Sequence, residues 1–64
     1  MQTDTIITIM SKETGIDRNQ LLITAVDKWP TLIKINAYIP IRMIQHFEDQ
    51  LMMEIVKRQI GWSK

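Results

Sequence analysis

The apolar residues near the start of the chain recur at helical spacing. Ile6, Ile9 and Met10 stand three and four residues apart, which places them on one face of a helix from about Asp4 to Glu13. The run TIITI within this segment is rich in β-branched residues and would also suit a strand. The spacing favours a helix, and Gly15 follows it where a left-handed residue commonly ends one.

A second helix is predicted from Arg18 to about Lys28. Asp17 precedes it and can cap it by accepting hydrogen bonds from backbone N–H groups two and three residues further on. Pro30 limits it at the other end, because a proline pushes the residue before it out of helical geometry. The predicted inner side of this helix carries Leu21, Leu22, Ala25 and Val26.

Two short β-prone runs, LIKI and AYIPI, follow and are joined by a single residue, Asn36. Asparagine tolerates positive φ, so the segment predicts a small β-hairpin with a tight turn at Asn36-Ala37. Pro40 suits the first position of a further helix. From there the pattern is helical as far as Gly61, with a predicted inner stripe of Ile41, Ile44, Leu51 and Ile55 and with Phe47 at its edge.

Composition narrows the class of protein. A chain of 64 residues forms one domain with a marginal core, and it has no cysteine to form a disulfide or a thiolate metal site. A single histidine cannot build a metal site, so we expect neither metal nor cofactor, and we expect self-association to supplement the core. No catalytic constellation is recognisable, and an enzyme is not expected. No run is apolar enough to span a membrane, and MQTDT lacks the basic start of a signal peptide, so we expect a cytoplasmic protein.

The order of elements indicates a DNA-binding fold. Helix, tight turn, helix, hairpin and helix is the order of a winged helix–turn–helix, a mainly α fold with a small β-hairpin, here spanning residues 1–64. The second helix of such a unit enters the major groove with its N-terminal residues. Arginine can bind guanine and asparagine can bind adenine through two hydrogen bonds each. The candidate base-contacting residues are Arg18, Asn19, Gln20, Ile23 and Thr24.

Three segments, SKETGIDRNQLL, KWPTLIKIN and YIPIRMIQHF, resemble the winged helix–turn–helix of small phage excisionases, a group that extends to MerR-like regulators and Cox-type phage proteins. The resemblance covers about residues 8–47. It implies a bacterial-host protein that binds and bends an attachment site cooperatively, directs a tyrosine integrase toward excision, or represses promoters. Arg18, Asn19 and Gln20 match the recognition helix, Lys34 and Asn36 match the wing, and Arg42 matches a basic residue after it. The wing lacks the glycine and the several arginines of the pattern.

A contact surface is predicted on the last helix. A second apolar stripe beside the inner one exceeds what a core of this size can cover, and exposed apolar surface usually marks an interface. The candidate residues for contact with a second copy of the chain are Met52, Val56, Ile60 and Trp62.

Two alternatives compete with the winged fold. KINAYIPIRMIQHFEDQL resembles the strand-proline-helix start of ribbon-helix-helix repressors, dimers whose paired strands enter the major groove. The other alternative is a small phage protein that inhibits a host protein through apolar contact and binds no DNA. A net charge of +1 suits the latter.

Overall fold

Four helices make up the part of the chain that the computed structural model describes, residues 1–61. They are α1 (Thr3–Thr14), α2 (Arg18–Lys28), α3 (Pro30–Lys34) and α4 (Ile41–Gly61). The predicted bounds of the first two helices and of the last are confirmed to within a residue or so. The predicted hairpin is wrong, and within the described residues the fold is all-α, without a strand pair or a wing.

The junction between α1 and α2 is a tight turn built by local interactions. Gly15 has a φ of 77°, a left-handed conformation, and its N–H donates to the carbonyl of Ser11 at 2.9 Å. The Ser11 hydroxyl donates in turn to the carbonyl of Ile16 at 2.6 Å. Asp17 caps α2 by accepting from the backbone N–H of Asn19 at 3.1 Å. Both ends of the turn are thus specified by neighbouring residues, which explains why the sequence predicted them.

The core lies where α1, α2 and α4 meet. Trp29, between α2 and α3, packs on Phe47 of α4 with ring centroids 4.8 Å apart. Each large apolar side chain that is fully buried contributes about 1.5–3 kcal/mol to the free energy of unfolding. The buried apolar residues are Ile6, Ile7, Met10, Leu21, Ala25, Ile39, Phe47, Leu51 and Ile55.

The predicted inner face of α4 needs a correction at its first residue. Ile41 is 81% exposed, whereas Phe47, Leu51 and Ile55, four residues apart, are buried. Ile41 is the first residue of α4, and at 1.5 Å per residue it lies about 15 Å along the helix axis from Leu51. The buried row of α4 begins at Phe47, and Ile41 lies beyond the end of that row.

The wing prediction fails because its first strand is a helix. Pro30 begins α3, where its fixed φ and missing N–H are favourable, and Leu32 and Ile33 turn their side chains partly onto the core. The second predicted strand then has no neighbour in the hairpin. Its Tyr38 instead forms an isolated antiparallel bridge with Gln2, which directly precedes α1.

The segment after α3 ties down the start of α1. Asn36 has a positive φ of 50°, as the predicted turn required. Its side-chain oxygen accepts from the backbone N–H of Asp4 at 2.9 Å, and its carbonyl accepts from the side-chain amide of Gln2 at 2.9 Å. The backbone N–H of Thr3 donates to the carbonyl of Ala37 at 2.9 Å. Asn36 thus caps α1 from more than thirty residues away along the chain. Gln2, the residue directly before α1, makes no capping hydrogen bond with its side chain.

Candidate nucleic-acid interface

The outward face of α2 holds most of the residues predicted to contact bases. Asn19 and Ile23 stand two residues before and after the buried Leu21, which places them roughly 160° from it around the helix axis. Both are exposed, and so is Gln20 beside them. Because Leu21 and Ala25 anchor the opposite side of α2 in the core, this face is presented by a fixed helix.

Arg18 is directed toward α1. Its Nε donates to the hydroxyl of Thr8 at 2.9 Å, and its guanidinium pairs with the carboxylate of Asp4. The side chain remains partly exposed. Through these two contacts Arg18 helps to hold α1 against the start of α2 in the unbound protein. A contact between Arg18 and guanine would require the ion pair between Arg18 and Asp4 to open.

Two further residues of α2 are placed differently from the prediction. Thr24, a predicted base contact, is only 2% exposed, and its hydroxyl donates to the carbonyl of Gln20 at 2.9 Å. Val26, predicted on the inner side, is exposed. Thr24 lies about 60° from Leu21 around the helix axis and Val26 about 140°. This explains why the threonine is buried and the valine is exposed, the reverse of the prediction. Thr24 is therefore a core residue and not an accessible contact.

The residues assigned to the wing do not form one. Lys34 is the last residue of α3, Asn36 caps α1, and Arg42 lies in the first turn of α4. All three are exposed. The structure brings Asn36 to the start of α1, not beside the outward face of α2.

Most of the basic side chains of the described residues are engaged by acidic ones. The pairs join Arg18 to Asp4, Arg58 to Asp27, and both Lys28 and Lys57 to Glu54. Among the described residues, Lys12, Lys34 and Arg42 take part in no ion pair. Lys12 lies in the last turn of α1, just before the turn that leads into α2. Positive charge available for phosphate is therefore sparse and dispersed.

A cleft of about 400 Å³ runs between the first turns of α2 and the end of α4. Asn19, Gln20 and Ile23 form one wall, and Arg58 and Gln59 form the other. The two α4 residues were not predicted from the sequence, because they are separated from the α2 residues of the cleft by more than thirty positions. The opposite charges of Asp27 and Arg58 are a signal that could have indicated it.

The outer face of α4 carries exposed apolar side chains. Met53 is 49% exposed, Val56 46% and Ile60 64%. Met52, predicted at the same interface, is half-buried and packs against the core of its own chain. Trp62 lies outside the described residues.

Comparison with known proteins finds no matching family model, no similar curated protein and no similar solved structure. Within residues 1–61 no helix combines the length and the apolar character needed to cross a membrane. The same residues contain no group of three or more side chains suited to hold a metal ion.

Proposed function

We propose that this protein binds double-stranded DNA through the outward face of α2. One observation supports the proposal: α1, the Gly15 turn and α2 follow one another in the order of a helix–turn–helix unit, and Asn19, Gln20 and Ile23 are exposed on one side of the anchored α2. The major groove of B-DNA is wide enough to admit an α-helix. The wing is not part of this proposal.

The exposed side chains favour A·T base pairs. The amides of Asn19 and Gln20 can each donate to N7 and accept from N6 of adenine, and Ile23 offers an apolar surface for a thymine methyl group. A good pair of hydrogen bonds to the right base discriminates by about 1–3 kcal/mol. A preferred site rich in adenine on one strand is therefore expected.

Phosphate contacts contribute little in this account. Of the lysine and arginine side chains in the described residues, three form no ion pair with an acidic one: Lys12, Lys34 and Arg42. Each phosphate neutralised changes the slope of log K against log salt by about −0.9, so these three described residues account for a slope of about −3 per chain. Binding by one chain is then weak, and several copies are needed for occupancy at a site. Excision and transcriptional repression are the roles that the phage resemblance implies for such a binder.

The test uses a library of random-sequence DNA duplexes, from which the wild-type protein selects preferred sequences. Binding to a selected duplex and to a scrambled one is then measured by fluorescence anisotropy. Asn19→Ala with Gln20→Ala should reduce the preference between the two duplexes at least tenfold. The fold should persist, since both side chains are exposed and alanine favours helix.

The matched control is Gln45→Ala, an exposed amide on α4 whose side chain donates only to Asp49. It should leave the preference unchanged. If the double variant selects and discriminates duplexes as the wild type does, α2 is not the reading element. If the wild type enriches no sequence at all, the proposal fails.

Binding to another protein is a second candidate, favoured by the exposed Met53 and Val56 on α4. The two functions respond differently to salt. DNA binding should weaken as salt rises, whereas contact through apolar side chains should change little.

A further inference from the structure

The outer face of α4 follows the spacing of a coiled-coil seam. Asp49, Met53, Val56 and Ile60 are separated by four, three and four residues, the alternation that keeps side chains facing a partner helix. Met53 and Val56 lie opposite the buried Leu51–Ile55 side of α4, at about 160° and 140° from Leu51. The inner face of α4 thus belongs to the core, and the apolar side chains of its outer face are exposed.

We propose that this outer face binds the same face of a second copy of the chain, with the two α4 helices antiparallel and Met53 of each copy against Val56 of the other. The proposal is independent of DNA binding. A two-fold pairing of this kind closes after two copies, because each copy offers the same surface to the other.

Charge complementarity selects a second copy and the antiparallel direction. In this register Asp49 faces Ile60 of the other copy, and Lys57 of that copy flanks the same point about 4.5 Å further along the axis, so its long side chain can reach the Asp49 carboxylate. A parallel pairing would put Asp49 opposite Asp49, which is repulsive. Both groups are accessible: Asp49 is exposed, and Lys57 keeps 67% of its side chain in solvent beside Glu54.

The contact is short. Asp49 to Ile60 spans about 17 Å of helix at 1.5 Å per residue. Stable interfaces commonly bury about 800 Å² on each partner, a large share of the 4520 Å² surface of this chain. A contact limited to one helix face is smaller than that, so dimerisation should be reversible, with a dissociation constant in the micromolar range or weaker.

Sedimentation equilibrium of the whole chain over a wide concentration range tests the pairing. The wild type should shift from monomer to dimer as its concentration rises. Val56→Glu should weaken dimerisation at least tenfold, because it places a charge against Met53 of the other copy. A wild type that stays monomeric at the highest concentration overturns the proposal and leaves the apolar face to a different protein.

Charge reversal tests the direction of the helices without depending on the apolar substitution. Asp49→Lys and Lys57→Asp should each weaken the dimer severalfold, and the chain carrying both should recover most of the wild-type affinity. Lys34→Asp, on α3, is the matched control and should change nothing. If the double reversal is as weak as the single ones, the antiparallel register is wrong. Helix content from circular dichroism should stay constant throughout, since all of these positions are exposed.

Discussion

Asn36 offers a sharp test of the way the fold replaces a wing with a tie to α1. Its side-chain oxygen caps α1 at the N–H of Asp4, and its backbone has positive φ. These two roles respond differently to substitution. Asn36→Asp keeps both, Asn36→Gly keeps the backbone conformation but loses the cap, and Asn36→Ala loses the cap and strains the backbone.

The magnitudes follow from these roles. Loss of a capping acceptor costs about 1 kcal/mol. A left-handed conformation costs a residue with a Cβ about 1–2 kcal/mol. The free energy of unfolding should therefore fall by about 1 kcal/mol for Asn36→Gly and by about 2 kcal/mol for Asn36→Ala, with little change for Asn36→Asp. A protein of this size has a total stability of about 3–10 kcal/mol, so both losses are measurable.

Urea unfolding followed by circular dichroism measures this series. With a slope of about 1 kcal/mol per molar urea, the midpoint should fall by about 1 M for the glycine variant and about 2 M for the alanine variant. If alanine and glycine leave the midpoint at the wild-type value, the cap does not stabilise the protein. If aspartate is as destabilising as alanine, the oxygen at this position is not the group that matters.

Three further substitutions probe the turn and α4. Gly15→Ala should lower the free energy of unfolding by about 1–2 kcal/mol because Gly15 has a φ of 77°. The cost comes from the backbone conformation and not from a clash, because the added Cβ would meet no neighbouring group within 4 Å. An unchanged thermal midpoint would contradict this. Asp17→Ala should cost about 1 kcal/mol by removing the cap on Asn19, again read from the thermal midpoint, with Asp17→Ser restoring most of it. Burial, followed by the nearby charges of Glu13 and Asp49, raises the pKa of Glu48. The folded state then binds the Glu48 proton more tightly than the unfolded state does, so stability should fall as pH rises through the raised pKa. Glu48→Gln should be more stable than the wild type at pH 7, with the difference vanishing below about pH 4 in urea midpoints measured across pH, and an equal difference at both pH values would contradict it.

Local signals explain the correct part of the sequence-based prediction. Gly15, Asp17 and Pro30 act on residues within a turn of themselves, and the bounds of α1 and α2 follow from them. The spacing of apolar residues likewise identified α4. These features depend on short-range sterics and hydrogen bonds, which a sequence displays directly.

The prediction of a wing failed because a segment of high β-propensity forms a strand only where a neighbouring segment is available to pair with it. Tyr38 bridges to Gln2, a partner more than thirty residues away, while Leu32 and Ile33 gain more by packing as a helix on the core. Asn36 does adopt positive φ, which asparagine tolerates, but not within a hairpin. Its hydrogen bond to the backbone of Asp4 joins segments more than thirty residues apart, and neither segment alone indicates it.

The exposure of the candidate base-contacting residues differs from one to the next. Asn19, Gln20 and Ile23 are exposed on α2. Thr24 is buried, and Arg18 is held by Thr8 and Asp4 of α1. Helical spacing separates the two sides of α2 only coarsely, and it carries no information about which neighbouring helix covers the residues at the boundary.

The most direct test of the proposed function is the affinity of the wild type for its selected duplex as salt is varied, compared with that of the Asn19→Ala, Gln20→Ala variant. The wild type should discriminate the selected duplex from a scrambled one at least tenfold better than the variant. Its log K should fall as log salt rises, and the three basic residues of the described part that have no acidic partner account for a slope of about −3 for each bound chain. Equal discrimination by the two proteins, or binding of the wild type that does not weaken with salt, would contradict the assignment of α2 as a DNA-reading helix.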